Sequence, residues 1–333
     1  MIRIDGSYGE GGGQILRSAV ALSCITGKEI EVFNIRANRP KPGLAPQHLM
    51  GIEIAKRISD ADVEGLRLGS TRILFRPRVV KGGDYKIDIG TAGSITLILQ
   101  TVLPLLLLAD KPSRLEIIGG TDVAWSPTID YFENVTLRAL REMNCSVRLR
   151  LIARGYYPKG GGRVIVEVEP SKIRGREFSE INERIEGISH CQNLPEHVAE
   201  RQKESAIRYL NEKGLNAEIR VEVLRGLSTG SGITIWSGYK GGSSLGERGK
   251  RAEDVGIESA RNFYEEFSAK GVFDSHLADQ VMVFGAIAVG RTKYTTTRFT
   301  EHLKSNEYVI RSFFGEILKL NESEGSVEIT GRG

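Results

Sequence analysis

Tyr8-Gly9-Glu10-Gly11-Gly12-Gly13-Gln14-Ile15-Leu16-Arg17 opens the first structural unit and decides how the rest of the chain is read. Glycines ahead of an apolar helix let backbone N–H groups approach an anion closely. Glu10, Gln14 and Arg17 bring a carboxylate, an amide and a guanidinium within eight residues of one another. Gln14 and Arg17 stand three apart, so both project from one side of the first helical turns. The stretch predicts a nucleotide or phosphate site with room for a divalent metal.

The pattern around it recurs: a Gly-rich turn, an apolar helix, a strand, a loop, a second helix and two strands. In the first copy, helix 13–26 precedes strand Glu29–Ile35, helix 46–59 and strands near 62–68 and 71–76. The second begins at Thr91-Ala92-Gly93-Ser94, with helix 94–109, strand Arg114–Ile118, helix 127–143 and strands near 145–152 and 162–168. The third begins at Leu277-Ala278-Asp279-Gln280, with a helix to Val289, strand Tyr294–Arg298, helix 301–319 and strand Ser326–Ile329. The helices are read from period, as in the stripe Val309, Ile310, Phe313, Phe314, Ile317 and Leu318. The strands are read from alternation, as in Arg163-Val164-Ile165-Val166-Glu167-Val168.

The stretch from about 177 to 268 has its own pattern: strand Ile185–Ser189, helix 195–213, strands Ala217–Leu224 and Ile233–Trp236, and helix 252–268. The expected fold class is α+β, with three tandem repeats of two helices packed on a four-stranded sheet and a smaller inserted α/β domain. The expected repeat domain covers 1–176 and 269–333, and the inserted domain 177–268.

The 333 residues are 40% hydrophobic and 26% charged, an ordinary globular balance, and the net charge of +4 is compatible with an anionic partner. Cys24, Cys145 and Cys191 are odd in number and form no CxxC, which points to neither a disulfide framework nor a zinc site and favours a reducing compartment. Residues 1–5 lack an apolar leader, and the run Leu97–Ala109, interrupted by Gln100 and Pro104, is too short to span a bilayer. A cytoplasmic protein with no membrane partner is expected. Gly249-Lys250-Arg251 does not complete a Walker A loop, and no GxGxxG between strand and helix, HExxH or GxSxG occurs. Any nucleotide site is of a less common type.

Packed side by side, the repeats bring equivalent loops together. In the first, Arg36, Arg39 and Lys41 lie on a loop stiffened by Pro40 and Pro42, an arrangement suited to gripping phosphate. The second offers Gly119-Gly120-Thr121-Asp122 and then Trp125-Ser126-Pro127, with Pro127 expected to begin a helix. In the third, His302 stands at the start of the last helix. It is either a capping or core histidine or a nucleophile, because a helix N-terminus favours the neutral ring.

Together these motifs resemble the RNA 3′-terminal phosphate cyclase family. The resemblance is carried by Asp5-Gly6, Glu10–Arg17, Ile35-Arg36-Ala37 with Arg39, Lys41–Leu44, Gln47-His48-Leu49, Gly93-Ser94 and Gln100–Pro104. Gly119–Asp122, Tyr157-Pro158 with Gly160–Gly162, and Leu277–Gln280 extend it over nearly the whole chain. It implies an ATP-dependent conversion of an RNA 3′-phosphate to a 2′,3′-cyclic phosphodiester through a histidine–AMP adduct and an RNA-adenylate. By position, His302 is the implied nucleophile and Arg17, Arg36 and Arg39 share the catalytic set. Gln100, Pro127, His276, Asp279 and Gln280 are the implied ATP contacts, with Pro127 and His276 on the two faces of the adenine. Arg36 and Arg39 are the implied grips on the RNA terminal phosphate or the pyrophosphate, with Gln47 in the same phosphate- and RNA-binding group, and Glu10 is assigned to a magnesium or manganese ion. His276 departs from a common pattern in which an aromatic stacks on the base. His48 and His190 are read as structural. The competing readings are a non-catalytic cyclase-like ribosome-biogenesis factor, which would lack the nucleophile, and an enolpyruvyl transferase.

Overall fold

The computed structural model describes residues 1–9, 11–181 and 183–333. The first unit is β1 (Ile2–Asp5), α1 (Gly13–Thr26), β2 (Ile30–Phe33), α2 (Pro46–Ser59), β3 (Asp62–Glu64) and β4 (Ile73–Arg76). Its sheet runs β1-β2-β4-β3, with β1 and β2 parallel across the α1 crossover. Gly27, in the left-handed conformation, ends α1, and Pro46 at the first position starts α2.

The second unit is β5 (Asp84–Asp88), α3 (Ile95–Leu106), β6 (Ser113–Gly119), α4 (Ile129–Tyr131), a π-helical turn (Phe132–Thr136), α5 (Leu137–Glu142), β7 (Ser146–Ala153) and β8 (Gly162–Glu169). Its sheet order, β5-β6-β8-β7, repeats that of the first. Ser94 caps α3 by accepting from the Leu97 N–H at 3.3 Å, and Thr128 caps α4 by accepting from Tyr131 at 3.2 Å. The helix that the sequence reading begins at Pro127 therefore begins at Ile129. Thr128 has the hydroxyl that a cap needs, and Pro127 lies just outside it.

A separate sheet follows, built from β9 (Ile185–Gln192), α6 (His197–Glu212), β10 (Ala217–Leu224), β11 (Gly230–Ser237), β12 (Lys240–Leu245) and α7 (Ala252–Ser268). Its order is β10-β9-β11-β12, and Ile185, Leu210, Ile219, Ile233, Val255 and Phe263 belong to its own apolar cluster.

The third unit comprises α8 (Leu277–Ile287), β13 (Val289–Thr295), α9 (Glu301–Phe314), β14 (Leu318–Asn321) and β15 (Ser326–Arg332), in sheet order β13-β15-β14. Gly175 N donates to Val289 O at 2.9 Å, Lys293 N to Arg176 O at 2.9 Å and Phe178 N to Lys293 O at 2.8 Å. Residues 173–178 thus run parallel to β13, in the place that β1 and β5 hold in their sheets. The segment carrying β9 through α7 enters between this first-strand position and α8. The expected helix 301–319 is shorter than its apolar stripe, because Gly315 at φ 69° ends it and Leu318 already belongs to β14. Strand β13 likewise starts at Val289, earlier than the expected Tyr294.

One large core runs through all three units. Helix α1 packs against α2, α3 and α9, and α8 packs against α9 and α3. Apolar on nearly every face, α3 is buried among these helices. The α1 N-terminus, the β2–α2 loop and the first turns of α8 and α9 come together as a result. No helix among the described residues is long and apolar enough to cross a membrane.

Candidate active site

The glycine loop is shaped by what lies against it. A Cβ at residue 13 would sit 2.1 Å from His48 Nε2, and one at residue 12 would sit 3.1 Å from Arg39 Nη2. Residues 9 and 11 both have φ +57°, which favours glycine there. The loop therefore lies against the α2 histidine and beneath the Arg39 guanidinium. Glu10 falls outside the described residues.

Behind the loop, Arg17, Gln47, His48, Leu97 and Thr101 help line a small cleft between α1, α2 and α3, about 20 Å³ in volume. The Arg17 Nη2 donates to Gln14 Oε1, and its Nε has no hydrogen-bond partner among the described residues. Burial pulls the Arg17 guanidinium down to about 10, against the opposing pull of the Asp279 carboxylate, so it stays charged at neutral pH. His48 is held neutral. Desolvation, then the Arg17 and Arg36 charges, push its pKa down to about 3, and its Nδ1 accepts from Ala45 N at 3.3 Å.

His302 occupies the second position of α9, whose cap is Thr300, accepting from Leu303 N at 3.2 Å. Its Nδ1 lies 3.5 Å from Asp279 Oδ2 in the first turn of α8, and its side chain is 42% exposed against 7% for Asp279. Asn306, fully buried one turn further along α9, ties the helices together. It donates to the Asp279 carbonyl at 2.8 Å and accepts from Gln14 Nε2 at 3.1 Å and Ser18 Oγ at 2.5 Å. Sequence reading missed Asn306. The available signal was an amide four residues after His302, between the buried Leu303 and Val309.

Arg36, at φ 55°, braces its own loop by donating to Lys41 O at 3.0 Å and Gly43 O at 2.9 Å. Desolvation, with Arg39 adding to it, lowers its pKa. Pro127 anchors its loop to α3 by accepting from Thr96 Oγ1 at 2.8 Å. Gln280 is engaged at both ends, accepting from Thr136 Oγ1 at 3.0 Å and donating to the His276 carbonyl at 2.9 Å. His276 is exposed at the α8 start, where its N–H donates to Asp274 at 3.0 Å. Gln100 is half-buried on α3, next to the cleft-lining Thr101. Arg17 and Gln47 thus line the cleft, Asp279 lies within the electrostatic reach of Arg17, His302 stands beside Asp279, and Arg39 lies over the glycine loop.

The profile of the family described as RNA 3′-terminal phosphate cyclase matches residues 8–320. The chain belongs to that family. A protein of that name from Archaeoglobus fulgidus is 64% identical over 319 residues, covering 96% of this chain and 97% of its own. Cyclases from Methanosarcina acetivorans and Pyrococcus furiosus are 48% and 46% identical, covering 99% and 98% of this chain and 99% and 96% of theirs. The profile spans both the glycine loop and the α8–α9 pair, so the cleft lies within the cyclase-like region.

Proposed function

We propose that this enzyme uses ATP to convert an RNA 3′-terminal phosphate to a 2′,3′-cyclic phosphodiester, with His302 as the nucleophile. Membership of the cyclase family supports the overall reaction. The observation that carries the residue assignment is the His302–Asp279 pair, 3.5 Å apart and within the field of Arg17. A carboxylate beside Nδ1 holds the imidazole in one orientation and tautomer, and Nε2 is then the nitrogen that attacks.

In the first step the Nε2 lone pair forms a bond to the α-phosphorus, and the bond to the pyrophosphate oxygen breaks. An oxygen of the RNA 3′-phosphate then attacks the same phosphorus, and the P–N bond breaks. The vicinal 2′-hydroxyl finally attacks the 3′-phosphorus, loses its proton and expels AMP. A phosphate monoester has no good leaving group, and adenylylation supplies one. Ring closure gains from a hydroxyl already in place.

Arg17 faces the nucleotide phosphates, and Arg36, Arg39 and Gln47 face the RNA terminus. Pro127 and His276 flank the adenine, with Gln100, Asp279 and Gln280 completing the ATP site. Glu10 would hold a magnesium or manganese ion, which neutralises triphosphate charge. The Asp279 carboxylate is an oxygen donor of the kind such an ion takes, and Gly12 beneath the Arg39 guanidinium leaves room for the phosphates. The chain is proposed to act in the cytoplasm.

The test is cyclisation of a 3′-phosphorylated oligoribonucleotide against its twin with a 2′-deoxy terminal sugar. Cyclic product from the first alone supports the reading. RNA binding without turnover of either points to the non-catalytic cyclase-like factor.

A further inference from the structure

A second group of chemistry-bearing residues lies where the inserted sheet meets the second unit, and the mechanism uses none of them. Asp122 follows β6, Asp130 sits in α4, and His190 comes from β9. All three are buried, and one ligand atom from each lies within 4.8 Å of the others. His190 Nε2 stands 3.6 Å from Asp122 Oδ1 and 3.9 Å from Asp130 Oδ2. Both separations exceed hydrogen-bond length. That nitrogen is fully buried and has no partner among the described residues, yet it points between two carboxylates. A buried polar nitrogen without a partner is costly, so something must complete it.

We propose that Asp122, Asp130 and His190 bind a divalent transition-metal ion, zinc or manganese, that clamps the inserted sheet to the second unit. With two sides of 3.6 and 3.9 Å and a third no longer than 4.8 Å, the in-plane point equidistant from the three ligand atoms lies ~2.0–2.4 Å from each, the range of nitrogen and carboxylate bonds to such ions. The surrounding groups orient the set as metal ligands are usually oriented. Tyr156 Oη is 2.7 Å from His190 Nδ1, and in the metal-binding tautomer it accepts the Nδ1 proton and leaves the Nε2 lone pair inward. Thr121 Oγ1 donates to Asp122 Oδ2 at 2.7 Å, leaving Oδ1 toward the histidine.

Among the described residues Arg154 is the cation already at this cluster, donating to Asp130 Oδ2 at 2.7 Å and Oδ1 at 3.1 Å, to Asp122 Oδ2 at 3.2 Å and Oδ1 at 3.5 Å, and to Glu222 Oε2 at 2.8 Å. Three carboxylates thus face a single guanidinium, and the excess negative charge is what a divalent ion would neutralise. Motif reading could not find this site, because cysteine spacing and HExxH are local patterns, whereas these ligands come from three separate segments of the chain.

The untagged protein is stripped with chelator, equilibrated with zinc chloride or manganese chloride, gel-filtered and assayed for bound metal. The wild type should carry one ion more than His190→Gln, and its thermal midpoint should rise with metal while that of the variant stays fixed. An anomalous difference map of zinc-equilibrated crystals should hold a peak beside His190 Nε2, and this decides the matter alone if the variant does not fold. Equal metal content in the two proteins, or a map without that peak, overturns the proposal.

Discussion

His302 Nδ1 and Asp279 Oδ2 lie 3.5 Å apart although they belong to different helices, α9 and α8. That placement depends on α8 and α9 packing together, with Asn306 bonding to the Asp279 carbonyl. A carboxylate set against one ring nitrogen distinguishes a positioned imidazole from a histidine that merely begins a helix.

His302→Ala is expected to abolish covalent labelling by α-labelled ATP and leave the fold intact. The side chain is 42% exposed, so its loss opens no buried core cavity. Labelling followed by gel electrophoresis reads the adduct, and circular dichroism reads the fold. Retained label would remove His302 from the role.

Arg39→Ala should slow cyclisation by well over tenfold, because the loss of a charged phosphate contact costs ~1.5–3 kcal/mol. The loop keeps its shape through the Arg36 bonds to Lys41 and Gly43, so the effect is on phosphate rather than on folding. Single-turnover kinetics with enzyme in excess over RNA measure it, and an unchanged rate would make this loop mere surface.

Asn306→Ala should cost stability of about 1–3 kcal/mol for each buried group left without its partner. It removes the bonds that link Gln14 and Ser18 of α1 to the Asp279 backbone of α8. Labelling should fall as well, since Asp279 would no longer be held against His302. Urea denaturation and the labelling rate should move together. A stability loss with normal labelling would separate Asn306 from the site.

Acid should destabilise the protein through His48. Its folded pKa of about 3 lies below the ordinary 6.5, so the unfolded chain takes up a proton that the folded chain refuses. The contribution is complete above the ordinary value and is lost as pH falls through that window, at up to roughly 1.4 kcal/mol per pH unit for one proton. His48→Gln should make stability less dependent on pH there. An unchanged slope in denaturation curves across the window would show that the ring titrates normally.

Much of the fold is legible in local pattern. Helices 46–59 and 252–268 and strand 217–224 match the structure residue for residue, because each carries a clear period and a clear end. The first strand of each unit was missed. Ile2–Asp5 and Asp84–Asp88 are four and five residues long and too short to declare a period, and residues 173–178 gain their meaning only from β13, more than a hundred positions later. The stripe through Leu318 misled for the converse reason: apolar spacing continued past Gly315, whose left-handed backbone turned the chain into a strand.

The sequence alone determined the α+β class, the family, the glycine loop and the histidine at the start of the last helix. These depend on residue type and near-neighbour spacing, which the chain carries in one dimension. Tertiary structure decided what depends on distance between remote residues. It set Asp279 against His302, laid His48 against Gly13, made Asn306 the tie between helices and left His190 buried beside two carboxylates. Burial and electrostatic coupling act through space, so the charge state of Arg17 or His48 is fixed only once the helices have packed around it.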